Sequence, residues 1–389
     1  MTGSPSGLRR TAAIIGVGHT DWRGDWARTR TGEAVTDSAG YAVRSFRNAL
    51  ADAGIFRDTI DGLIVGPTTA YERVGELLGI EPRWGGQADA ANAVIQAAMA
   101  IECGLAETIA LVYGNDQRSR GTQYGGPQAM GAENYLSYVY HAPWGLTSQG
   151  AIYALMFRAY QAERGITDAE LGEVAVAQRR WAQLNPAAIM QKPLTVEGYL
   201  DSPFICEPLR LPDYCMVNDG GVALIVTSAD RAKALVERPV FIEAVARQDV
   251  NLRASSLEPR VTEFYLPAQQ RAAARLFDSA GIGPEDVDLV QIYDSFSVHV
   301  PLALEGYGYC AVGDAGKFLR EAGIGPGGAL PVNSSGGHLS ESYMQGWNHQ
   351  IESVRQLRGE CGARQIPRCR YVHYSSDIAG KAISILYGR

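Results

Sequence analysis

The sequence predicts an α/β fold built from two similar halves. Short apolar runs alternate with amphipathic helical patterns along the first part of the chain, the order expected of a sheet covered by helices. The segment Leu50–Val65 (LADAGIFRDTIDGLIV) aligns without gaps with Phe277–Ile292 (FDSAGIGPEDVDLVQI), so one helix–turn–strand unit occurs twice. A length of 389 residues accommodates two or three domains or one large duplicated fold.

Local patterns predict the elements of the first half. The apolar run Thr11–Gly18 ends in glycines and indicates a buried strand that turns into a loop. Apolar residues recur at helical spacing within Thr31–Ala53, and Gly54 stands where a helix C-cap is expected. The alternation then continues with a predicted strand, helix and strand at Asp61–Val65, Ala88–Cys103 and Thr108–Tyr113.

Matched positions in the repeat define the two halves. The alignment pairs Gly54 with Gly281 and Asp61 with Asp288. The two copies lie too far apart in the sequence to be repeats of a solenoid, so they indicate two halves related by a pseudo-twofold axis. We therefore expect the first half to span residues 1–228 and the second to span residues 239–389.

The region from about 115 to 205 predicts a loop-rich insertion in the first half, with helices at Ser148–Glu163 and Asp168–Leu184. Additions of this kind to a rigid core often form a substrate cover. Its aromatic rings suit a pocket for a bulky apolar ligand or a subunit interface, and ordinary core packing explains any single ring equally well. The rings are Tyr135, Tyr138, Tyr140, Trp144, Tyr153 and Phe157.

Composition excludes several classes of protein. Apolar residues make up 46% and charged residues 20%, which fits a globular protein and not a disordered or fibrous one. A net charge of −7 gives no overall basic surface for nucleic acid or an anionic membrane. No stretch is apolar enough to span a membrane, and we expect a cytoplasmic protein.

The six cysteines contain no C-x-x-C pair, so neither a zinc site nor a disulfide framework is expected.

Three motifs carry a family resemblance: NDGG (Asn218–Gly221), YDSF (Tyr293–Phe296) and NSSGG (Asn333–Gly337). In this order, within duplicated α/β halves, they resemble the thiolase superfamily. The segments Val354–Gln365 and Gly104–Gly114 look most like its lipid-transfer-protein type. The resemblance implies a thiolase fold: two βαβαβαββ halves that form a layered α-β-α-β-α sandwich, with the insertion in the first half.

The sequence departs from working thiolases at the nucleophile. Those enzymes place a cysteine at the N-terminus of a buried helix, where the helix dipole lowers the pKa of the thiol. Alignment through Gly104–Glu107 puts Gln87 at that position. Glutamine cannot attack a thioester, so no covalent intermediate is expected, and we expect Gln87 to fill the vacated pocket.

Two tyrosines stand where thiolases of this branch carry catalytic histidines. Tyr293 replaces the histidine that helps to bind the thioester oxygen, and Tyr343 replaces the histidine of a Gly-His-Pro general base. The C-terminal catalytic position reads Ser375-Ser376. A pocket can shift the pKa of tyrosine from its ordinary value near 10, so a tyrosine can act as an acid or a base.

The combination QIYDSF with GGHLSESYMQGW resembles the steroid side-chain-cleaving aldolases. That resemblance implies retro-aldol cleavage of a β-hydroxyacyl-CoA of the 17-hydroxy steroid carboxyl-CoA type, with release of propionyl-CoA and a 17-keto steroid. Cholesterol, phytosterol and bile-acid intermediates all fit. It also implies a homodimer core that binds a small OB-fold partner with a zinc ribbon in an α2β2 complex. Coenzyme A arrives as part of the substrate, and no metal or permanently bound cofactor is expected.

Retro-aldol chemistry needs a base for the hydroxyl proton and an acid for the enolate. We expect Tyr293 to be the base and Tyr343 the acid, or the reverse. His338 and Asp294 are candidate supporting groups, although His338 suits a turn cap and Asp294 an N-cap of the following helix. Main-chain N–H groups are expected to border the thioester at Ser334, Ser335, Gly336 and Gly337.

Two other functions stay open. One is a Claisen-type acetyl-CoA acyltransferase that uses an unexpected cysteine, and the other is a non-catalytic subunit that binds acyl-CoA or lipid. A serine nucleophile at Ser295 or Ser375 is disfavoured because neither has an evident base in the sequence. Four other histidines show no ligand spacing and are expected to be structural, namely His19, His141, His299 and His373.

Overall fold

The computed structural model describes residues 8–32, 36–122, 141–146, 148–249, 258–378 and 381–389. Its strands are β1 (Ala12–His19), β2 (Gly62–Val65), β3 (Trp84–Gln87), β4 (Thr108–Asn115), β5 (Phe204–Cys206), β6 (Leu209–Arg210), β7 (Gly220–Ser228), β8 (Val240–Asp249), β9 (Leu289–Ile292), β10 (Tyr371–Ser376) and β11 (Lys381–Gly388). Among the described residues, β5 and β6 form a hairpin and the others form one sheet in the order β3-β2-β4-β7-β1-β8-β11-β10-β9.

Helices precede and follow most of these strands. They are α1 (Trp22–Arg30), α2 (Ser38–Ala53), α3 (Tyr71–Leu78), α4 (Ala90–Glu102), α5 (Gln149–Arg164), α6 (Asp168–Gln183), α7 (Val196–Leu200), α8 (Ala229–Leu235), α9 (Glu258–Glu263), α10 (Leu266–Ala280), α11 (His299–Gly306), α12 (Ala315–Glu321), α13 (Gly337–Ser340) and α14 (Trp347–Arg358). The alternation of strand and helix that the sequence predicts is present in both halves.

The sheet consists of two equivalent sets of four strands, and β3 pairs with β2 as an extra strand at the edge of the first set. In the first set, β2 and β4 are parallel, and β7 and β1 follow in antiparallel order. In the second set, β9 and β10 are parallel, and β11 and β8 follow in the same way. The sets join where β1 pairs with β8 through Ala13–Phe241 and Ile14–Val240. This order supports the predicted duplication.

The repeated segment has the same structure in each half. Both α2 and α10 end at a glycine in the left-handed region, Gly54 at φ 65° and Gly281 at φ 68°. Asp61 then accepts hydrogen bonds from the main chain at Glu107 and Thr108, the start of β4. Its counterpart Asp288 accepts them from Arg370 and Tyr371, the start of β10. Each aspartate therefore links the turn before one strand to the start of the neighbouring parallel strand.

Three apolar layers produce the predicted sandwich. Helices α2, α3 and α8 pack on the outer face of the first set of strands. Helices α4 and α14 fill a central layer that contacts strands of both halves. Helices α10 and α11 cover the outer face of the second set, together with side chains of α5 and α6. The layered α-β-α-β-α arrangement is therefore confirmed.

The insertion packs against the second half. Its two predicted helices are present as α5 and α6, and α6 begins with a capping box formed by Thr167 and Glu170. Tyr153 and Phe157 lie in the outer core of the second half, so core packing is the correct explanation for these two rings. Trp144 is exposed. The other three rings of the prediction, Tyr135, Tyr138 and Tyr140, lie outside the described residues.

Several helices, among them α1 and α3, were not predicted. Asp21 caps α1 by accepting a hydrogen bond from the main chain of Gly24, at a place where the sequence indicates only a loop after β1. In the described residues, no helix combines the length and apolar character needed to cross a bilayer.

Candidate active site

Tyr293 and Tyr343 meet in a buried position. Tyr293 directly follows β9, and its main-chain N–H donates to the Ser375 carbonyl on β10 at 2.9 Å. Tyr343 lies between α13 and α14. The two hydroxyl oxygens are 3.1 Å apart, and the residues are only 5% and 7% exposed. Burial raises the pKa of Tyr293 well above its ordinary value, so this phenol is neutral at physiological pH.

An apolar wall surrounds the tyrosine pair. Met216 is buried with the two rings. The partly buried side chains packed against this group come from the Met216 segment itself and from two other segments of the chain. Sequence reasoning missed all of them, because apolar residues in irregular segments carry no periodic signal. They are Ile189, Met190, Cys215 and Ile378.

The insertion is fastened to the chain that carries Tyr343. The main-chain N–H groups of Ile189 and Met190 donate to the carbonyls of Glu341 and Ser340 at 3.0 and 2.9 Å. Asn185 also donates from its side-chain amide to the Glu341 carboxylate at 2.9 Å. The predicted substrate cover thus supplies part of the wall next to the tyrosines.

His338 lies against both tyrosine rings. Its ring centroid is 4.7 Å from that of Tyr293 and 5.0 Å from that of Tyr343, with steeply inclined planes. The main-chain N–H of Gly346 donates to Nε2 of His338 at 2.9 Å. Burial lowers the pKa of His338 well below its ordinary value, and His349 lowers it further. The imidazole is therefore neutral, with its proton on Nδ1.

Asp294 holds His338 from the other side. Its carboxylate accepts the main-chain N–H of His338 at 2.9 and 3.1 Å, and Nδ1 of the ring lies 3.3 Å from the same carboxylate. The expectation that Asp294 caps the next helix is wrong: α11 has Val298 at its N-cap, without a side-chain bond. Instead, the Asp294 carboxylate binds the main-chain N–H of His338, in the first turn of α13.

Asp294, His338 and His349 form the one cluster of potential metal ligands in the described part of the chain. Nε2 of His349 lies 3.1 Å from Asp294. However, the hydrogen bond from Gly346 occupies Nε2 of His338, so its Nδ1 carries a proton and has no lone pair for a metal. The arrangement fits two imidazoles that face one carboxylate better than it fits a metal site.

Gly346 allows the two tyrosines and His338 to come together. It has φ 86°, in the region that favours glycine. A Cβ at this position would collide with the Tyr374 hydroxyl and approach Cδ2 of Tyr293 to 3.1 Å. A larger residue would therefore collide first with Tyr374 and would also press on the edge of the Tyr293 ring.

The predicted thioester-binding loop, Ser334–Gly337, is fully buried beside Asp294. The hydroxyl of Ser334 donates to Glu352 at 2.8 Å, and that of Ser335 donates to Glu341 at 2.7 Å. Both serine side chains are thus used to hold the loop against the central layer. Contact between the main chain of this loop and the thioester stays a prediction.

Gln87 does not occupy a buried pocket. It is the last residue of β3, its side chain is exposed, and its amide donates to the Thr69 carbonyl at 2.6 Å. The helix that follows begins at Ala90, capped by Asp89. The expectation that Gln87 fills the space of a former cysteine is wrong, because counting back along a helix does not fix which way the preceding residue faces.

Other nucleophiles near the tyrosines are poorly activated. Cys215 packs against the pair, but burial and the charge of Asp294 raise the pKa of its thiol. Ser295 has no evident base in the sequence, but the structure places its hydroxyl 3.1 Å from Nε2 of His299. Burial lowers the pKa of His299 to about 3, so that imidazole is a weak base.

Comparison with known proteins places the chain in a family. Residues 253–388 match the model for the thiolase C-terminal domain-like family. A 17-hydroxy-3-oxo-4-pregnene-20-carboxyl-CoA lyase from Mycobacterium tuberculosis is 36% identical over 90% of this chain and 92% of that protein. A steroid side-chain-cleaving aldolase from Thermomonospora curvata is 34% identical over 90% and 91%.

A solved structure agrees with these relatives. That of an Ltp2-ChsH2(DUF35) aldolase superimposes with a TM-score of 0.87 at 29% identity, over 98% of both chains. These matches identify the chemistry class as carbon–carbon bond cleavage. The chain belongs to the steroid side-chain-cleaving aldolases, lyases of the thiolase superfamily.

Proposed function

We propose that this chain catalyses retro-aldol cleavage of a 17-hydroxy steroid carboxyl-CoA, releasing propionyl-CoA and a 17-keto steroid. The observation that carries the proposal is the buried tyrosine pair, with hydroxyls 3.1 Å apart inside an apolar wall. An acid and a base in contact suit a reaction that removes one proton and returns another. The apolar wall suits a steroid ring system beside them.

The chemistry balances without any change in oxidation state. As Tyr293 accepts the proton of the substrate hydroxyl, it passes its own proton along the hydrogen bond to Tyr343. In the same event the C–O bond of the substrate becomes a carbonyl and the neighbouring carbon–carbon bond breaks. Its electron pair passes to the thioester as an enolate, which Tyr343 protonates at carbon. The hydrogen bond between the two phenols thus carries the proton from Tyr293 to Tyr343, so neither has to be ionised at rest.

The same geometry supports a cysteine-free mechanism. Gln87 stands at the aligned nucleophile position and is exposed, while the nearby thiol of Cys215 has a raised pKa. Both observations weigh against the Claisen-type alternative, which needs a thiolate. The non-catalytic alternative predicts instead that the tyrosine hydroxyls are dispensable.

We further propose that the chain works in the cytoplasm as a homodimer core that binds two copies of a small OB-fold, zinc-ribbon partner. Support comes from the solved aldolase, which is an Ltp2-ChsH2(DUF35) complex. The coenzyme A moiety would enter with the substrate, as the name of the M. tuberculosis relative implies for that enzyme. No permanently bound cofactor is needed for the proton transfers described.

Replacement of either tyrosine by phenylalanine tests the proposal. The chain is co-expressed with a DUF35-type partner and supplied with 17-hydroxy-3-oxo-4-pregnene-20-carboxyl-CoA, and release of propionyl-CoA and ketone is followed. We expect Tyr293→Phe and Tyr343→Phe each to lower kcat by about 10² to 10⁴-fold, the usual effect of losing a general acid or base.

Two controls sharpen this test. Tyr71→Phe, on α3 in the outer layer of the first half, should behave like the wild type. Cys215→Ala should stay within about tenfold of wild type, because it removes a packing contact and not a reacting group. Tight binding of thioester without cleavage by the wild-type complex would refute the aldolase proposal, and loss of all activity in Cys215→Ala would refute the cysteine-free mechanism.

A further inference from the structure

Two asparagines of the first half bind the main chain of Tyr343. Oδ1 of Asn218 accepts the N–H of Tyr343 at 2.7 Å. Nδ2 of Asn115 lies 3.4 Å from the Tyr343 carbonyl and donates to the Asn218 carbonyl at 3.0 Å. Both asparagines are fully buried. The peptide groups on either side of Tyr343 are thus held by side chains from the other half of the molecule.

These asparagines come from a rigid part of the sheet. Asn115 is the last residue of β4 and pairs with Gly220 at the start of β7. Asn218 lies just before that strand, as the first residue of the NDGG motif, and its amide also donates to the hydroxyl of Ser342 at 2.9 Å. One side chain therefore fixes two consecutive residues, Ser342 and Tyr343.

The segment that carries Tyr343 has little regular structure of its own. Helix α13 ends at Ser340, and α14 begins at Trp347. Between them, Gln345 and Gly346 adopt positive φ values of 48° and 86°. The position of Tyr343 is therefore set by side-chain contacts and not by a helix or strand.

We propose that Asn218 is a positioning residue that holds the Tyr343 hydroxyl at hydrogen-bonding distance from Tyr293. This inference rests on the proposed aldolase function, in which Tyr343 is the acid. The separation of 3.1 Å leaves little tolerance, since a shift of about 1 Å breaks a hydrogen bond. Misplacement on that scale can cost about 10²-fold in rate. The motif that marks the family would thus have a defined task in the reaction.

Three variants test this role in the complex with its partner. Asn218→Ala removes both contacts and should lower kcat by about 10- to 100-fold while KM changes less than about threefold. Asn218→Asp keeps an acceptor for the Tyr343 N–H, and Ser342 can turn its hydroxyl to donate, so part of the rate should return. Thr227→Val removes buried hydrogen bonds elsewhere on β7 and should leave kcat unchanged.

A double-mutant cycle separates positioning from general stability. If Asn218 acts through Tyr343, adding Asn218→Ala to Tyr343→Phe should reduce kcat less than about twofold further. Additive losses in the double variant, or a wild-type kcat in Asn218→Ala, would overturn the inference. Failure of the aldolase proposal is distinct, because wild-type complex would then release no propionyl-CoA and Tyr343→Phe would change nothing.

Discussion

His338 accepts a hydrogen bond at Nε2 from Gly346, its main-chain N–H donates to Asp294, and its ring touches both tyrosines. A neutral imidazole held in this way packs against both tyrosine rings and fixes their orientation. Because burial lowers its pKa well below the usual value near 6.5, it does not change charge around neutral pH. We therefore interpret it as a support for the tyrosines and not as the acid or base.

Substitution of His338 should separate these two roles. We expect His338→Ala to lower kcat by about 10- to 100-fold with little change in KM, because the tyrosines lose their common neighbour. His338→Asn, which keeps an N–H donor toward Asp294, should recover part of the rate. The kcat of the wild type should show no inflection near pH 6.5. Such an inflection in the wild type, lost in His338→Ala, would show that this histidine exchanges a proton in the reaction.

The meeting of Tyr293 and Tyr343 was predictable because both occupy motif positions of a recognisable family. The partners of Asp294 were not predictable in the same way. Capping rules are local in sequence, whereas the main-chain N–H that Asp294 accepts belongs to His338 in another segment. Local patterns carry no information about such a contact between loops.

Among the elements, a buried carboxylate links β10 to the outer helices of the second half. Asp377 follows β10 and accepts hydrogen bonds from Gln269 on α10 and from Tyr307 just after α11, at 3.0 and 2.8 Å. Burial raises the pKa of Asp377 from 3.8 to about 7. Its neighbour Ile378 packs against the tyrosine pair, so this link also fixes one edge of the site.

The raised pKa of Asp377 predicts a pH dependence of stability. The folded chain binds this proton more tightly than the unfolded chain, so the contribution is most favourable below about pH 4 and is lost as the pH rises toward 7. The slope from this group is at most about 1.4 kcal/mol per pH unit. Asparagine does not titrate, and Gln269 can rotate its side-chain amide to pair with it. Asp377→Asn should therefore reduce the difference in unfolding free energy between pH 5 and pH 8.

Urea unfolding of both proteins at these two pH values measures that difference. An equal pH dependence in wild type and Asp377→Asn would contradict the assignment of this group. Asp288→Asn is a suitable comparison, because its carboxylate binds main-chain N–H groups near the start of β10 outside the tyrosine site.

The elements that the sequence predicts have regular apolar spacing and recognisable end residues, as α2 has with Gly54 at its C-terminus. Helix α1 was missed because it is largely polar and buries only Trp22 and Asp25. Its position is set by packing of Trp22 into the central layer, which no local pattern reveals. Tertiary contact decides such an element.

At the scale of the whole molecule, the two halves contribute different things to one site. Both tyrosines and His338 belong to the second half, while the amides that hold Tyr343 belong to the first. The sequence indicated the duplication through the repeat at Leu50 and Phe277. It did not indicate that side chains of the first half bind the main chain of the second. A repeat shows that the two halves have similar folds, but it does not show which residues of one half contact the other.

The proposed assembly predicts a mass well above that of two chains. Light scattering after size exclusion of the co-expressed proteins should exceed twice the 41.9 kDa of this chain, by the mass of two partner copies. The chain expressed alone should give about twice 41.9 kDa if the homodimer core forms without the partner. A species of one chain mass in both preparations would contradict the assembly.

Gly346 has a bearing on how distant relatives are classified. In the sequence of a relative, the two tyrosines are the visible marks of the proposed chemistry. If a bulkier residue replaced Gly346 in such a chain, its Cβ would collide with the hydroxyl of the third tyrosine, Tyr374, and press on the first ring of the pair. We therefore expect glycine at this position to accompany the two tyrosines in relatives that cleave.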